Sequence, residues 1–525
     1  MRRVGLGVLC GLLVAAAVAA SGSGSQARVH EALHAAPRPD KSWRPASSTV
    51  LPVPEAVRGQ GVVTTGAAAW HKAGGDGFGV KIAVLDLGFD GYRQSQANGD
   101  LPTSLVKADF CPPDGFTATS HGTAVAEIVA EMAPGAKLYL ICAQSVPALA
   151  KAVVYARAHG IQIISHSVSW LNTSRGDGNG LPDSPEGIVA AARAAGILWV
   201  NAAGNRAQQH WSGTFTDTDA NGWNEFAPGD EGNTIVVPAG GYMCAALKWD
   251  DWPVSAEDYD LYLTRSPGDT IVASSTARQS GVEPPAELLC HVNSSGAAET
   301  LGIGIRSYRT TTRPARFDLF VYPGPNLEYQ TAEGSVTEPG TSSAALTVGA
   351  ACWTGGLEPY SSRGPTIDGR MKPDLVGPDS VSSFTFGPFQ GCASGFAGTS
   401  AAAPHVAAAA ALVKQANPSF GPDELQAYLE SHAVDLGIAG KDPVFGSGGL
   451  SLGAAPRLPL RACVVPRVVG RRLSSAQETL TRAGCRVGRV RKARSRTRSG
   501  RVIAQHPRAG KHLAPRSRIQ LTLGR

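Results

Sequence analysis

Four short segments of the chain place polar side chains where catalytic groups are commonly found. Asp86 follows a short apolar run, His121 precedes an apolar helix-like segment, Asn205 follows a second apolar run, and Ser400 precedes an Ala-rich stretch. A carboxylate, an imidazole, an amide and a hydroxyl therefore occur in that order. Each segment alone is typical of a turn or a helix cap, but the four together indicate nucleophilic chemistry.

These side-chain types meet the needs of a serine hydrolase. A serine hydroxyl becomes nucleophilic when a histidine takes its proton, and a buried carboxylate fixes the tautomer of that histidine. The Asn205 amide and the backbone N–H of Ser400 at a helix N-terminus would stabilise an oxyanion. The order Asp, His, Ser argues against the α/β-hydrolase and chymotrypsin arrangements, in which Ser or His comes first.

The elements that must position these groups alternate between short apolar runs and helix-like segments. Strands are predicted at 80–85, 161–168 and 197–200, and helices at 124–132, 185–195 and from Ser400 onward. Such alternation predicts an α/β fold, a parallel sheet with helices on both faces. A chain of 525 residues is long enough for two or three domains.

The pattern of polar and apolar residues changes between about 225 and 329. Polar and apolar residues alternate there, as in 258–263, and turn residues separate the runs. This pattern predicts an all-β sandwich inserted into the α/β domain. The α/β domain is then expected in two parts, 59–224 and 330–452.

The motifs around these groups resemble those of the subtilisin-like serine peptidases, the subtilase family. The resemblance covers 79–88, 121–135, 163–169, 201–205, 360–365, 372–374 and 398–407. It implies a subtilisin-like fold with Asp86 orienting, His121 as base, Ser400 as nucleophile and Asn205 as oxyanion donor. His405 matches a framework position without a catalytic role. The insertion is similar to the small pre-peptidase β-sandwiches of bacterial secreted peptidases.

The resemblance also implies a peptide-binding segment, with two departures from the family pattern. Ser167, Val168 and Ser169 match the strand that pairs with a bound peptide, and Gly204 belongs to a pocket wall of small residues. Ser169 replaces the usual glycine, which we expect to narrow the cleft. Leu87 stands where the family usually has Ser or Thr. Two interpretations are open: the change removes one hydrogen bond to Asp86 and weakens the site, or it only marks a subgroup.

The N-terminus and the cysteines predict export. Two arginines, an apolar run and small residues at 17–19 are typical of a cleaved signal peptide over 1–20, which would leave no membrane anchor. Residues 21–58 are predicted to be a flexible leader, too short for a folded pro-domain.

Eight cysteines remain after the predicted signal peptide, an even number that suits four disulfides in an oxidising compartment. Eight cysteines allow 105 connectivities, which all remain open. Proximity in sequence suggests the pairs Cys111/Cys142, Cys244/Cys290, Cys352/Cys392 and Cys463/Cys485.

The C-terminal part is a separate basic module. Residues 461–525 contain 18 Lys and Arg but a single acid, whereas the whole chain carries only +6. After a linker at 453–462, residues 463–525 resemble a PASTA domain, a small α+β fold whose family is linked to cell-wall peptidoglycan. The basic run also predicts attraction to anionic wall polymers. Nucleic acid is not expected, because no aromatic residues are interleaved with the basic ones to stack on bases.

One loop raises the question of calcium. Asp217, Asp219 and Asn221 match the first half of an EF-hand loop, but the twelfth position is Pro228 instead of Glu. A structural calcium ion and a plain polar turn both remain open. Catalysis itself is expected to need no cofactor.

The sequence as a whole predicts a secreted serine endopeptidase that acts on proteins or peptides, located outside the cell or at the cell wall. Two other functions remain open. The first is a binding protein on the same scaffold, inactive because of Leu87 or a blocked cleft. The second is a structural wall protein whose main activity lies in the basic module.

Overall fold

The structure is a computed structural model that describes residues 59–265, 270–309, 315–495 and 499–525. The predicted signal peptide and leader lie outside the described residues. No helix within these ranges is long and apolar enough to cross a membrane.

The largest unit is a seven-stranded sheet in which every neighbouring pair of strands is parallel. The strands are β1 Lys81–Asp86, β2 Val106–Asp109, β3 Lys137–Cys142, β4 Ile163–His166, β5 Leu198–Ala202, β14 Ala345–Cys352 and β15 Leu375–Asp379. Their order in the sheet is β15-β14-β5-β4-β1-β3-β2, which confirms the predicted parallel sheet.

Helices cover both faces of this sheet. They are α1 Gly61–Thr64, α2 Ala67–Ala73, α3 Tyr92–Asn98, α4 His121–Met132, α5 Val146–Ala158, α6 Pro185–Ala194, α7 Thr399–Ala416 and α8 Pro422–His432. Strand β1 shows why both faces are buried. Ile82 and Val84 point into a core shared with α4 and α7, whereas Ala83 and Leu85 point into the core shared with α5 and α6. Successive side chains of a strand alternate between faces, so a strand covered on both sides is apolar throughout.

The insertion consists of two four-stranded antiparallel sheets that share one apolar core. The strands are β6 His210–Thr214, β7 Asn233–Val237, β8 Tyr242–Trp249, β9 Asp258–Arg265, β10 Ile271–Ser275, β11 Ala286–Val292, β12 Glu299–Arg309 and β13 Arg316–Tyr322. Their orders in the two sheets are β10-β9-β12-β7 and β11-β8-β13-β6.

The predicted start of the insertion at 225 was wrong. Strand β6 belongs to it and begins 15 residues earlier, at His210, where it pairs with β13. The strand has only five residues and its pairing partner lies about 100 residues away, so local alternation did not reveal it. The alternating segment at 258–263 does lie in β9.

The C-terminal module has its own small core. A three-stranded sheet of order β17-β20-β18 and a two-stranded sheet of β16 and β19 accompany a single amphipathic helix in its described residues. The elements are β16 Cys463–Val464, α9 Leu473–Arg482, β17 Arg486–Ala493, β18 Val502–His506, β19 His512–Leu513 and β20 Arg518–Gly524.

All four disulfides suggested by sequence proximity are present. They join Cys111 to Cys142, Cys244 to Cys290, Cys352 to Cys392, and Cys463 to Cys485. One lies in the parallel-sheet domain beside β1, one joins two strands of the insertion, one closes the loop that precedes α7, and one staples the C-terminal module.

Candidate active site

Asp86 and His121 form a hydrogen-bonded pair at the carboxyl edge of the parallel sheet. Asp86 is the last residue of β1 and only 1% exposed. The Nδ1–H of His121 donates to the Asp86 carboxylate, at 2.9 Å from Oδ2 and 3.0 Å from Oδ1. The backbone N–H of Leu87 donates to the same carboxylate at 2.8 Å. The pair therefore fixes the imidazole tautomer that leaves Nε2 free to accept a proton.

The start of α4 brings the imidazole to this carboxylate. His121 is the first residue of the helix, and the following Gly122 donates its N–H to the carbonyl of Gly88 at 3.1 Å. A side chain at position 122 would place its Cβ 2.5 Å from that carbonyl oxygen, so the close approach requires glycine. The ring of Phe396 meets the imidazole edge to face, with 5.7 Å between centroids.

The electrostatic surroundings favour the protonated form of the histidine. Burial by itself would lower the pKa of His121, but the charge of Asp86 and its hydrogen bond outweigh burial, so the pKa is raised. A carboxylate that stabilises the imidazolium in this way assists the histidine when it takes a proton from a nucleophile.

Ser400 stands at the head of α7, the buried Ala-rich helix, and is tied to Ser167 by two reciprocal hydrogen bonds. The Ser400 hydroxyl donates to the Ser167 carbonyl at 3.3 Å, and the Ser167 hydroxyl donates to the Ser400 carbonyl at 3.1 Å. Pro404 explains the second bond, because proline has no N–H for the carbonyl four residues earlier. Within the described residues the hydrogen-bond acceptor of the Ser400 hydroxyl is the Ser167 carbonyl, not the His121 imidazole.

Asn205 is held at the start of α7 through its side-chain amide oxygen. Its Oδ1 accepts hydrogen bonds from both the backbone N–H and the hydroxyl of Thr399, each at 2.9 Å. Among the described residues the Nδ2 group has no hydrogen-bond acceptor, and a Cβ at position 398 would lie 2.9 Å from it. A fixed amide donor beside the backbone N–H at a helix N-terminus is the arrangement that stabilises a developing oxyanion.

The sequence did not single out Thr399 or Asp379. Thr399 fixes the orientation of Asn205, and Asp379 accepts the backbone N–H of Gly398 at 2.7 Å. Asp379 ends a buried strand in the same way as Asp86, and that signal could have identified it. His405 donates its Nδ1–H to the Ala401 carbonyl inside α7.

The predicted peptide-binding residues lie next to this centre. Ser167 and Val168 are buried directly after β4, and the hydroxyl of Ser169 accepts a hydrogen bond from Thr337 at 2.7 Å. Gly204 has a φ of 108°, which favours glycine, and its N–H donates to the Thr399 hydroxyl at 3.2 Å. The segment and the glycine therefore contact the turn that carries Ser400. Their role in binding a peptide stays a prediction.

The loop predicted to bind calcium forms a polar turn. Asp217 accepts the backbone N–H groups of Asn221 and Gly222, at 3.1 and 2.9 Å, and the Oδ1 of Asn221 accepts that of Trp223 at 2.9 Å. Asp219 is exposed and accepts hydrogen bonds from Asn221. Several of the oxygens that would bind an ion are thus occupied by hydrogens of the loop itself. Calcium binding stays a prediction.

Several known proteins are similar in sequence to parts of this chain. Bacillopeptidase F of Bacillus subtilis (strain 168) is 28% identical over 231 residues, which cover 43% of this chain and 15% of that protein. Alkaline elastase YaB of Bacillus sp. (strain YaB) is 28% identical over 245 residues, 46% of this chain and 61% of that protein. Subtilisin Savinase of Lederbergia lenta is 36% identical over 124 residues, 24% of this chain and 42% of that protein. The chain therefore spans less than two thirds of the length of each of these relatives.

The fold has a counterpart among solved structures. The CspB protease of Clostridium perfringens matches with a TM-score of 0.52 at 15% identity, over 75% of this chain and 97% of that chain. Residues 464–525 match the model of the PASTA domain. The model of the subtilase family matches residues 77–300 and 307–448. These two segments make up more than half of the chain, which therefore belongs to the subtilase family.

Proposed function

We propose that this chain is a serine endopeptidase that hydrolyses peptide bonds through an acyl-enzyme on Ser400. One observation carries the proposal. The hydrogen-bonded pair of Asp86 and His121 lies at the carboxyl edge of the sheet, and the buried helix α7, whose second residue is Ser400, packs on a face of the same sheet. Asn205, held by Thr399, supplies a donor beside the serine.

The geometry supports a two-step reaction. The Ser400 hydroxyl turns from the Ser167 carbonyl, gives its proton to His121 Nε2 and attacks the peptide carbonyl. The tetrahedral oxyanion is stabilised by Asn205 Nδ2 and the Ser400 N–H. His121 then protonates the leaving amine, and the acyl group remains on Ser400. A water molecule gives a proton to His121 and attacks the acyl-enzyme. The bond to Ser400 Oγ then breaks, His121 returns the proton to that oxygen, and the acid and the free serine are released.

A fluorophosphonate probe tests this proposal directly. The processed protein is expected to be labelled once per chain, and Ser400→Ala is expected to abolish both labelling and cleavage of a peptide library. His121→Ala should slow labelling strongly because the base is lost. Absence of labelling in the processed wild type, or labelling that persists in Ser400→Ala, would leave the scaffold as that of a binding protein.

We also propose that the protein is exported and associates with anionic polymers of the cell wall through its C-terminal module. Within the described side chains, none of the exposed basic residues of the module forms an ion pair. Four of them lie on one edge strand, β17: Arg486, Arg489, Arg491 and Lys492. Unpaired cations on one strand attract a linear polyanion over several contacts at once.

Sedimentation with purified cell wall tests the second proposal. Replacement of the four β17 cations by Gln is expected to reduce binding, and added salt should reduce wild-type binding because it screens exposed charges. Lys151→Gln with Arg157→Gln on α5 serves as a charge control and should bind like the wild type. Wall stripped of anionic polymers separates the two partners: binding that persists there in a salt-insensitive way would indicate peptidoglycan.

A further inference from the structure

The segment that follows β4 is fixed by contacts from the inserted sandwich. The buried amide of Asn172 donates to two carbonyls on neighbouring strands of the insertion, those of Leu247 in β8 and Glu287 in β11, at 3.1 Å each. Asn172 has a φ of 56°, a left-handed conformation that is uncommon for residues other than glycine. Asparagine tolerates this conformation better than most residues do, and the two amide contacts fix it in place.

A buried ion pair makes the second connection. The ammonium group of Lys248 in β8 contacts the carboxylate of Glu338, which belongs to the parallel-sheet domain, and the two side chains are 5% and 1% exposed. The same ammonium group donates to the carbonyl of Ser174 at 3.3 Å. A buried charge of this kind needs its partner, because an unpaired one would lose its hydration without compensation. The ion pair therefore joins the sandwich to the catalytic domain, and loss of either charged side chain would leave the other charge buried without a partner.

Residues 337 and 338 form hydrogen bonds on both sides of the active site, with the segment after β4 and with the end of β5. The carbonyl of Glu338 accepts the N–H of Trp170 at 2.9 Å. The hydroxyl of Thr337 donates to Ser169 at 2.7 Å, and its N–H donates to the carbonyl of Ala203 at 3.0 Å. One short segment thus links the predicted peptide-binding strand to the end of β5, from which Gly204 and the oxyanion donor follow.

We propose that the inserted sandwich is a structural part of the substrate cleft, and that Asn172 and Lys248 are positioning residues that set where segment 167–170 lies. This inference rests on the proposed peptidase function, since segment 167–170 is the predicted binding strand for an extended peptide. Its consequence is specific: loss of these contacts weakens the binding of long substrates, which pair with the segment, and spares the Ser400 chemistry.

Two independent variants test the proposal. Asn172→Gly removes both amide contacts while relieving the backbone conformation, and Lys248→Met with Glu338→Gln removes the ion pair without leaving one charge buried alone. Arg265→Met is the matched control, because it removes a cation that pairs with Glu299 within the insertion, on the sheet that does not contain β8. KM and kcat are measured with peptides that extend one, two or four residues before the cleaved bond, together with the rate of fluorophosphonate labelling.

Both test variants are expected to raise KM for the four-residue substrate by about fivefold, the change that corresponds to roughly one lost hydrogen bond. KM for the one-residue substrate, the labelling rate and all values of Arg265→Met should stay within about twofold of the wild type. Unchanged KM at every length would overturn the proposal, as would an equal loss at every length together with slower labelling. If the ion-pair variant fails to fold, the KM values of Asn172→Gly alone decide between these outcomes. A wild type that is never labelled contradicts the peptidase function itself, which is a different result.

Discussion

The carboxylate of Asp379 accepts the backbone N–H of Gly398 at 2.7 Å, two residues before Ser400. Asp379 is fully buried at the end of β15. It also accepts hydrogen bonds from the hydroxyls of Tyr360 and Ser380. A second strand-end carboxylate, besides Asp86, therefore supports the active site, and it holds the turn that presents the serine.

The first prediction concerns the ionisation of this carboxylate. Burial raises the pKa of Asp379 to about 7, and nearby Glu358 adds to the increase, whereas the hydrogen bond from Tyr360 opposes it. An acid whose pKa is higher in the folded state binds protons there that the unfolded chain has released. Its contribution to stability is therefore complete below pH 4 and is lost as the pH rises through about 7.

Asp379→Asn isolates this contribution, since asparagine is neutral at every pH and keeps an acceptor for the Gly398 N–H. The free energy of unfolding of the variant relative to the wild type should increase by about 1.4 kcal/mol for each pH unit between pH 5 and 7, and level off above. Urea unfolding at half-unit intervals measures it. A difference that is constant with pH would show that Asp379 does not titrate in this range.

The second prediction concerns the pH dependence of catalysis. Because Asp86 raises the pKa of His121 against the effect of burial, the fraction of neutral imidazole should fall as the pH drops through a value above 6.5. The acid limb of kcat/KM should have its midpoint there. In Asp86→Asn the rate should decrease about 10⁴-fold, and the midpoint of the residual activity should move to lower pH. A midpoint that is the same in both proteins would assign the limb to another group.

The third prediction concerns the oxyanion donor. Asn205→Ala should lower kcat by a factor of about 10²–10³ with little change in KM, because the amide acts on charge that develops after the substrate has bound. Thr399→Val tests the orientation of the amide, as it removes one of the two hydrogen bonds to Asn205 Oδ1 and keeps the side-chain shape. A smaller loss of kcat is expected there. Equal kcat in the wild type and Asn205→Ala would exclude the amide from the reaction.

The sequence sufficed for the parts of the site that rest on local patterns. Strand β1, helix α4 and the Ala-rich helix at Ser400 were predicted close to their observed ranges, because buried strands and helices have distinct apolar periods. The missed contacts join residues that are not neighbours in sequence: Asp379 to Gly398, and Asn172 to the insertion. The strand-end position marks Asp379 as a candidate, but polar residues carry no periodic signal that names their partners, so the pairs themselves emerge only after the fold has brought them together.

The last prediction concerns Leu87, which departs from the family pattern beside Asp86. The backbone N–H of Leu87 already donates to Asp86 Oδ1 at 2.8 Å, and its side chain packs against the core that contains α5 and α6. The site therefore retains a hydrogen bond to the catalytic carboxylate without a hydroxyl at this position. Leu87→Ser should change kcat by less than about threefold and lower the stability by about 1 kcal/mol through lost apolar contact. Leu87→Ala is the control, since it loses the same contact and adds no hydroxyl. If Leu87→Ser exceeded Leu87→Ala in kcat by tenfold or more, the leucine would be costing the enzyme a catalytically useful hydrogen bond.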